Sequence, residues 1–285
     1  MAKYNYITHN DINYKQCIDK DLIMDLNIND KVAIITGGSR GIGQSCAIEL
    51  AKEGVKIVIA AQSEKNLKNA VNLIQEHTND CIYVSANLST QQGCEETTNE
   101  AIKAFGTVDI LINNVGAANE ENVLTLSRET IEGAANLKTY SYLTMSQLVI
   151  PYMQKNKWGR IVNIAGGAGT SPNAYNLPLS FANAAVLNMT RALSNQVSRD
   201  NILVNVICPG ATNTDRAREL IKGRMTQQND DIEEAIKQLG NSLPARRIAE
   251  PEEIAKMATF LSSNACTYVF GSSIYMDGGS RKASP

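Results

Sequence analysis

The sequence predicts a single α/β domain, a Rossmann-type doubly wound parallel sheet with helices on both faces. Three observations predict it. Short β-branched apolar runs alternate with longer amphipathic stretches, the pattern of βαβ units whose strands are buried on both faces. A glycine-rich loop at 36–43 closes the first apolar run and opens the first helical stretch. No internal repeat and no Pro-, Gly- or Ser-rich linker divides the 285 residues, so 26–285 reads as one domain.

Seven strands are expected, at Val32–Thr36, Lys56–Ala60, Ile82–Ser85, Asp109–Asn113, Arg160–Ile164, Leu203–Ile207 and Ser273–Met276. Helical patterns separate the first six, so the crossovers should be right-handed. Residues 1–25 form a polar extension before the first strand. Residues 211–243 break the strand–helix rhythm with a charged, helix-prone insertion. It lies at the carboxyl end of a strand, where open α/β sheets bind ligands, and reads as a substrate lid or a solvated helix pair.

Composition excludes several classes. Lys+Arg 27 against Asp+Glu 29 gives a net charge of -2, and no long basic run suits nucleic acid. The only histidines are His9 and His77, which leaves little room for His-rich metal sites or Ser-His-Asp catalysis. No two of the six cysteines make a Cys-x-x-Cys pair, so buried thiols are expected rather than a zinc or redox site. The first residues lack the apolar core of a signal peptide, and no run is long enough to span a membrane. A cytoplasmic protein is expected.

The loop Thr36-Gly37-Gly38-Ser39-Arg40-Gly41-Ile42-Gly43 is the first motif that carries chemistry. Glycine allows a sharp turn and close approach of backbone to phosphate, and the helix that follows offers free N–H groups. Its spacing is Gly-x-x-x-Gly-x-Gly. Asn113-Asn114-Val115-Gly116 follows the fourth strand, and Gly159–Ile164 contains the fifth. Cys208-Pro209-Gly210 with Thr214 follows the sixth, and Glu250–Ala255 and Met276–Gly279 come near the end. In order and spacing these motifs resemble the short-chain dehydrogenase/reductase superfamily, in its 3-oxoacyl-carrier-protein reductase type, over Leu26 to Gly279.

The resemblance implies a bound nicotinamide dinucleotide. Gly37, Ser39, Arg40, Gly41, Ile42 and Gly43 would hold the phosphates, and Asn114, Gly116, Asn183, Pro209, Gly210 and Thr214 the ribose and nicotinamide side. Asn87 stands where the family often has Asp near the adenine, with Leu88 beside it. Ala61 takes the place of the acid that selects NAD, and Gln62 a place where many NADP enzymes carry Arg. Arg40 can supply charge to a 2′-phosphate, so NADP is expected over NAD; NAD stays open because Glu64 lies close in sequence.

The family's catalytic residues are a Tyr, a Lys four residues later, a Ser after the fifth strand and an Asn on the fourth helix. Asn136 matches the Asn. Ala165-Gly166, Leu179 and Asn183 stand at the Ser, Tyr and Lys positions. Leucine transfers no proton. Tyr175, beside the expected site, is the substitute proton donor by position. Tyr140 should share a helix face with Asn136, whereas Lys138 should point elsewhere. Ser180 should cap its helix.

Two functions follow. One is an NADP-dependent oxidoreductase with a non-standard active site and a small-molecule substrate. The other is a catalytically inactive nucleotide-binding homologue serving as sensor, scaffold or oligomer partner. The first is preferred because Pro209, Gly210 and Thr214 are retained. The resemblance also implies a homotetramer, through the helices after Asn136 and Asn183, with Ala184, Leu187, Ala192 and the stretch Tyr142–Met153 on the interface.

Overall fold

The computed structural model describes residues 24–116, 121–172, 174–224 and 231–282. The expected extension 1–25 therefore lies outside the described residues except for Met24 and Asp25, and the insertion is described except for 225–230. The strands are β1 (Val32–Thr36), β2 (Lys56–Ala61), β3 (Cys81–Ser85), β4 (Ile110–Asn113), β5 (Gly159–Ile164), β6 (Ile202–Pro209) and β7 (Ser273–Met276). They form one sheet in the order β3-β2-β1-β4-β5-β6-β7, with every pair parallel. The order reverses between β1 and β4, so the crevice of the sheet opens at their carboxyl ends.

The helices are α1 (Gly41–Lys52), α2 (Glu64–Ile74), α3 (Gln91–Phe105), α4 (Arg128–Ala135), α5 (Ser141–Asn156), α6 (Leu177–Val197), α7 (Asp215–Arg224), α8 (Ile232–Asn241) and α9 (Pro251–Leu261). A π-helical turn, Asn136–Tyr140, joins α4 to α5. No described helix is long and apolar enough to cross a membrane.

Strand residues alternate between two cores because successive side chains leave opposite faces. Ala33, Ile35, Ile57 and Ile59 pack with Leu50 of α1, Leu67 of α2 and Ile254 of α9. Ile34, Val58, Leu111 and Ile161 pack with Cys94 of α3, Val149 of α5 and Leu193 of α6. Within the stretch Tyr142–Met153 expected at an interface, Tyr142, Met145, Val149 and Met153 are instead buried in the chain's own core. Their spacing of three and four residues puts them on the face of α5 that meets the sheet.

Local chemistry sets the helix ends. Thr90 accepts from Gly93 N at the start of α3, and Gly106, at φ 79°, ends it. Pro251 begins α9 beneath a reciprocal Glu250–Glu253 cap. Ser180 does not cap α6: it lies inside the first turn, and its hydroxyl donates to Asn176 O at 2.6 Å.

A buried polar chain fixes α6 against the sheet. Asn113 Nδ2 donates to Asn163 Oδ1, and Asn163 Nδ2 donates to Thr190 Oγ1, each at 2.9 Å. Both asparagines and Thr190 are fully buried. Asn163→Ala should therefore leave a donor on β4 without its partner and cost about 2–4 kcal/mol, the range for one interrupted buried link plus lost packing. Urea unfolding measures the cost; a loss under about 0.5 kcal/mol would show that water restores the chain.

Candidate active site

The glycine loop is shaped by contacts that exclude side chains. A Cβ on Gly43 would stand 2.3 Å from Gly37 O, and one on Gly38 would stand 2.6 Å from Ile59 Cγ2. Gly37 and Gly41 have φ of 65° and 57°, in the left-handed region that glycine adopts without strain. Asn114 holds the loop from the neighbouring strand: its N–H donates to Thr36 Oγ1 at 2.9 Å and its Nδ2 to Gly37 O at 3.2 Å. The Asn114 side chain is thus a strut of the loop. Thr214 closes the other flank, since a Cβ on Gly41 would lie 3.2 Å from its Cγ2. Its hydroxyl accepts from Ala217 N and starts α7. Ser39 and Ile42 are half-buried, with Ile42 packed on the core.

The groups expected near the adenine and its ribose are grouped but already paired. Exposed Gln62 donates from Nε2 to Asn87 Oδ1 at 2.9 Å. Leu88 is buried in the core, which leaves its backbone for any ligand. Exposed Arg40 makes an ion pair with Glu219 of α7 at 3.1 Å, which ties the insertion to the phosphate loop. Glu64 is held by Lys68 at 2.8 Å in the first turn of α2. That ammonium keeps its carboxyl below the usual range, and the Tyr83 hydroxyl adds to the effect.

On the other side, Pro209 ends β6, and Gly210 N donates to Met276 O. A Cβ on Gly210 would stand 2.7 Å from Asp277 Cα, so the backbone there is close-packed. Gly167, Ser171, Asn176, Pro209, Gly210 and Tyr275 are among the residues lining a cavity of ≈ 400 Å³. Leu179 is half-buried on the first turn of α6, and Asn183, one turn on, is 1 % exposed. Asn183 Oδ1 accepts from Gly166 N at 3.0 Å. Its buried Nδ2 has no partner within the described protein. Tyr175 is 57 % exposed and is not among the residues lining that cavity.

The π-helical turn rearranges the remaining expectations. Asn136 and Tyr140 are both exposed. Lys138, expected to point away from the site, turns inward. Its Nζ donates to Ile164 O at 2.8 Å and reaches the Tyr142 hydroxyl at 3.1 Å. Lys138 does lie on the opposite side of the turn from exposed Asn136, as i and i+2 should; it is that opposite side, not the side of Asn136, that faces the ends of β4 and β5. The pattern alone carried no signal for that turn. The signal for Lys138 was weak: a lysine inside an otherwise apolar and hydroxyl-bearing run.

Known proteins agree with this geometry. The sequence profile described as enoyl-(acyl carrier protein) reductase matches residues 37–281. NADPH-dependent reductase BacG of Bacillus subtilis is 28% identical over 258 residues, covering 90% of this chain and 100% of that protein. The 3-oxoacyl-[acyl-carrier-protein] reductase FabG of Vibrio cholerae is 29% identical over 254 residues, covering 89% of this chain and 98% of that one. The crystal structure of L-sorbose reductase from Gluconobacter frateurii, complexed with NADPH and L-sorbose, superposes with a TM-score of 0.88. It is 30% identical, over 92% of this chain and 100% of that one. With the parallel sheet, the glycine loop and nearly the whole length in agreement, the chain belongs to the short-chain dehydrogenase/reductase family.

Proposed function

We propose that this protein is an NADP(H)-dependent oxidoreductase for a small-molecule substrate. The observation that carries the reading is the pairing of a phosphate cradle with an orphaned donor. At one end Gly37, Gly41 and Gly43 bare the backbone at the amino terminus of α1. At the other, Asn183 Nδ2 is buried without a partner, a donor suited to a ribose hydroxyl. The residues present therefore fit a dinucleotide laid across the carboxyl ends of β1 and β4. When bound, the cofactor supplies hydride transfer.

The chain's own residues then bind and orient. Helix α1 offers N–H groups to the diphosphate. Ala61 ends β2 without a carboxylate, and Arg40 can exchange Glu219 for a 2′-phosphate. Pro209 and Gly210 shape the substrate side together with Ser171 and Asn176. The second reading, binding without turnover, draws on Leu179, an apolar residue where the family places its tyrosine. Steady NADPH consumption with any small ketone, imine or activated alkene would overturn it.

Titration of NADPH fluorescence tests the cofactor. Binding is expected in the micromolar range or tighter, and Gly43→Ala should abolish it by moving Gly37 O out of the cradle. Arg40→Ala should weaken NADPH about tenfold and NADH by about twofold or less, since a charge-assisted contact to the 2′-phosphate exists for one alone. Equal loss for both cofactors would sink the assignment of Arg40.

We also infer a homotetramer. A groove of ≈ 580 Å³ between α5 and α6 is lined by Leu143, Ile150, Pro151, Met189, Ala192 and Leu193. Ala184 and Ala192 are exposed on α6, where small side chains let a partner helix approach closely. Light scattering at micromolar concentration should give the mass of four chains, and a monomer there would refute the inference.

A further inference from the structure

Lys138 is 5 % exposed, in the wall where β4 and β5 end. Its Nζ contacts are Ile164 O at 2.8 Å, the Tyr142 hydroxyl at 3.1 Å and Val115 O at 3.4 Å. All three are neutral. No carboxylate among the described residues pairs with it; a lysine taken out of water is costly as a cation unless paired, and such residues concentrate at functional sites.

Cohesion of the wall does not account for it. The Tyr142 hydroxyl already lies 2.8 Å from Val115 O and 3.0 Å from Ile164 O, the same two carbonyls. Lys138 adds what Tyr142 lacks, a group that changes protonation near neutrality. Burial brings its ammonium down to about 7, with Cys208 opposing the shift. The same burial holds Tyr142 well above its ordinary value and pushes the Cys208 thiol up to about 12. Gly116 beyond β4, the other described residue set against the amine, has no titrating side chain.

The amine also lies against exposed bare backbone. Gly116 is exposed, and a Cβ there would stand 2.9 Å from Lys138 Nζ. Gly116, three residues beyond β4, thus carries no side chain between the amine and the surface that this residue meets.

We propose that Lys138 is the proton-exchanging group of this site, losing its proton as the nicotinamide passes from the neutral reduced form to the cationic oxidised form. The proposal rests on the dinucleotide reading above. With a carbonyl substrate, the carbonyl carbon accepts hydride from the reduced nicotinamide and the C=O π bond opens. Its oxygen takes the proton from the Lys138 ammonium, directly or through one water. The products are an alcohol, the oxidised cofactor and a neutral lysine, which regains its proton from solvent.

The test needs no substrate. The Kd values of NADP+ and NADPH are measured from pH 6 to pH 8.5, and their ratio cancels the 2′-phosphate common to both. Below pH 7 the charged lysine repels the cationic ring; above it the repulsion fades. The ratio Kd(NADP+)/Kd(NADPH) should therefore fall as pH rises, by about five- to tenfold if the oxidised ring lowers the lysine by about one pKa unit. Lys138→Met should make the ratio flat, and Lys138→Arg should hold it high at every pH. Tyr175→Phe should leave the slope intact. If Lys138→Met does not fold, the wild-type slope and the 15Nζ shift of Lys138, followed through the same range with each cofactor form, decide the matter. Normal NADPH binding with a flat wild-type ratio overturns the assignment of Lys138 and leaves the cofactor reading standing. A slope that survives Lys138→Met, or vanishes in Tyr175→Phe, also overturns it. Absence of NADPH binding overturns both.

Discussion

Everything at the crevice depends on how closely two backbone segments approach at the end of β1. Gly43 of α1 is pressed so near Gly37 O that a single added carbon would stand 2.3 Å away. That contact sets the angle at which α1 leaves the sheet and points its free N–H groups across the crevice. Asn114 then locks the loop to β4 by two hydrogen bonds. The reversal of strand order lies between those two strands, so one close contact and one strut define the platform.

The two walls of the platform are positioned by different physics. Helix α6 is held by the Asn113–Asn163–Thr190 chain, directional bonds inside a dry layer. Such bonds fix rotation as well as distance, and they set Asn183 against Gly166. Helix α5 is held mainly by apolar packing of Met145, Val149 and Met153. Apolar packing is less directional, and here the phase of the wall is set by the π-helical turn that precedes the helix.

The fold was legible because its signals are local and repeated. Each of the seven strands was a short apolar run between breakers; the structure keeps the expected ends of β1 and β7 and shifts an end of the other five by one or two residues. The tight glycine loop was legible because Gly37 and Gly41 take the left-handed conformation and Gly43 has no room for a side chain. The inward side of Asn136–Tyr140 was not, since every residue in it is compatible with ordinary α-helix. The pairings of Arg40 with Glu219 and of Gln62 with Asn87 join residues 179 and 25 apart, and no pattern in the chain announces them. Ser180 was misread for a simpler reason: the helix begins four residues earlier than a cap at Ser180 requires.

The π-helical turn makes the site sensitive to chain length. In an α-helix each residue advances the side-chain direction by about 100°. Deleting one residue between Asn136 and Tyr140 would let the chain close in the ordinary α phase. Helices α4 and α5 would keep their faces, because the π turn absorbs one residue more than an α turn, while the side chains within the turn, Lys138 among them, would be redistributed. An alignment anchored on Asn136 and one anchored on β5 can thus assign different residues to the same spot on the wall. For this chain, a lost or gained codon within 136–140 changes which side chain faces the strand ends even when no inward-facing residue is itself substituted.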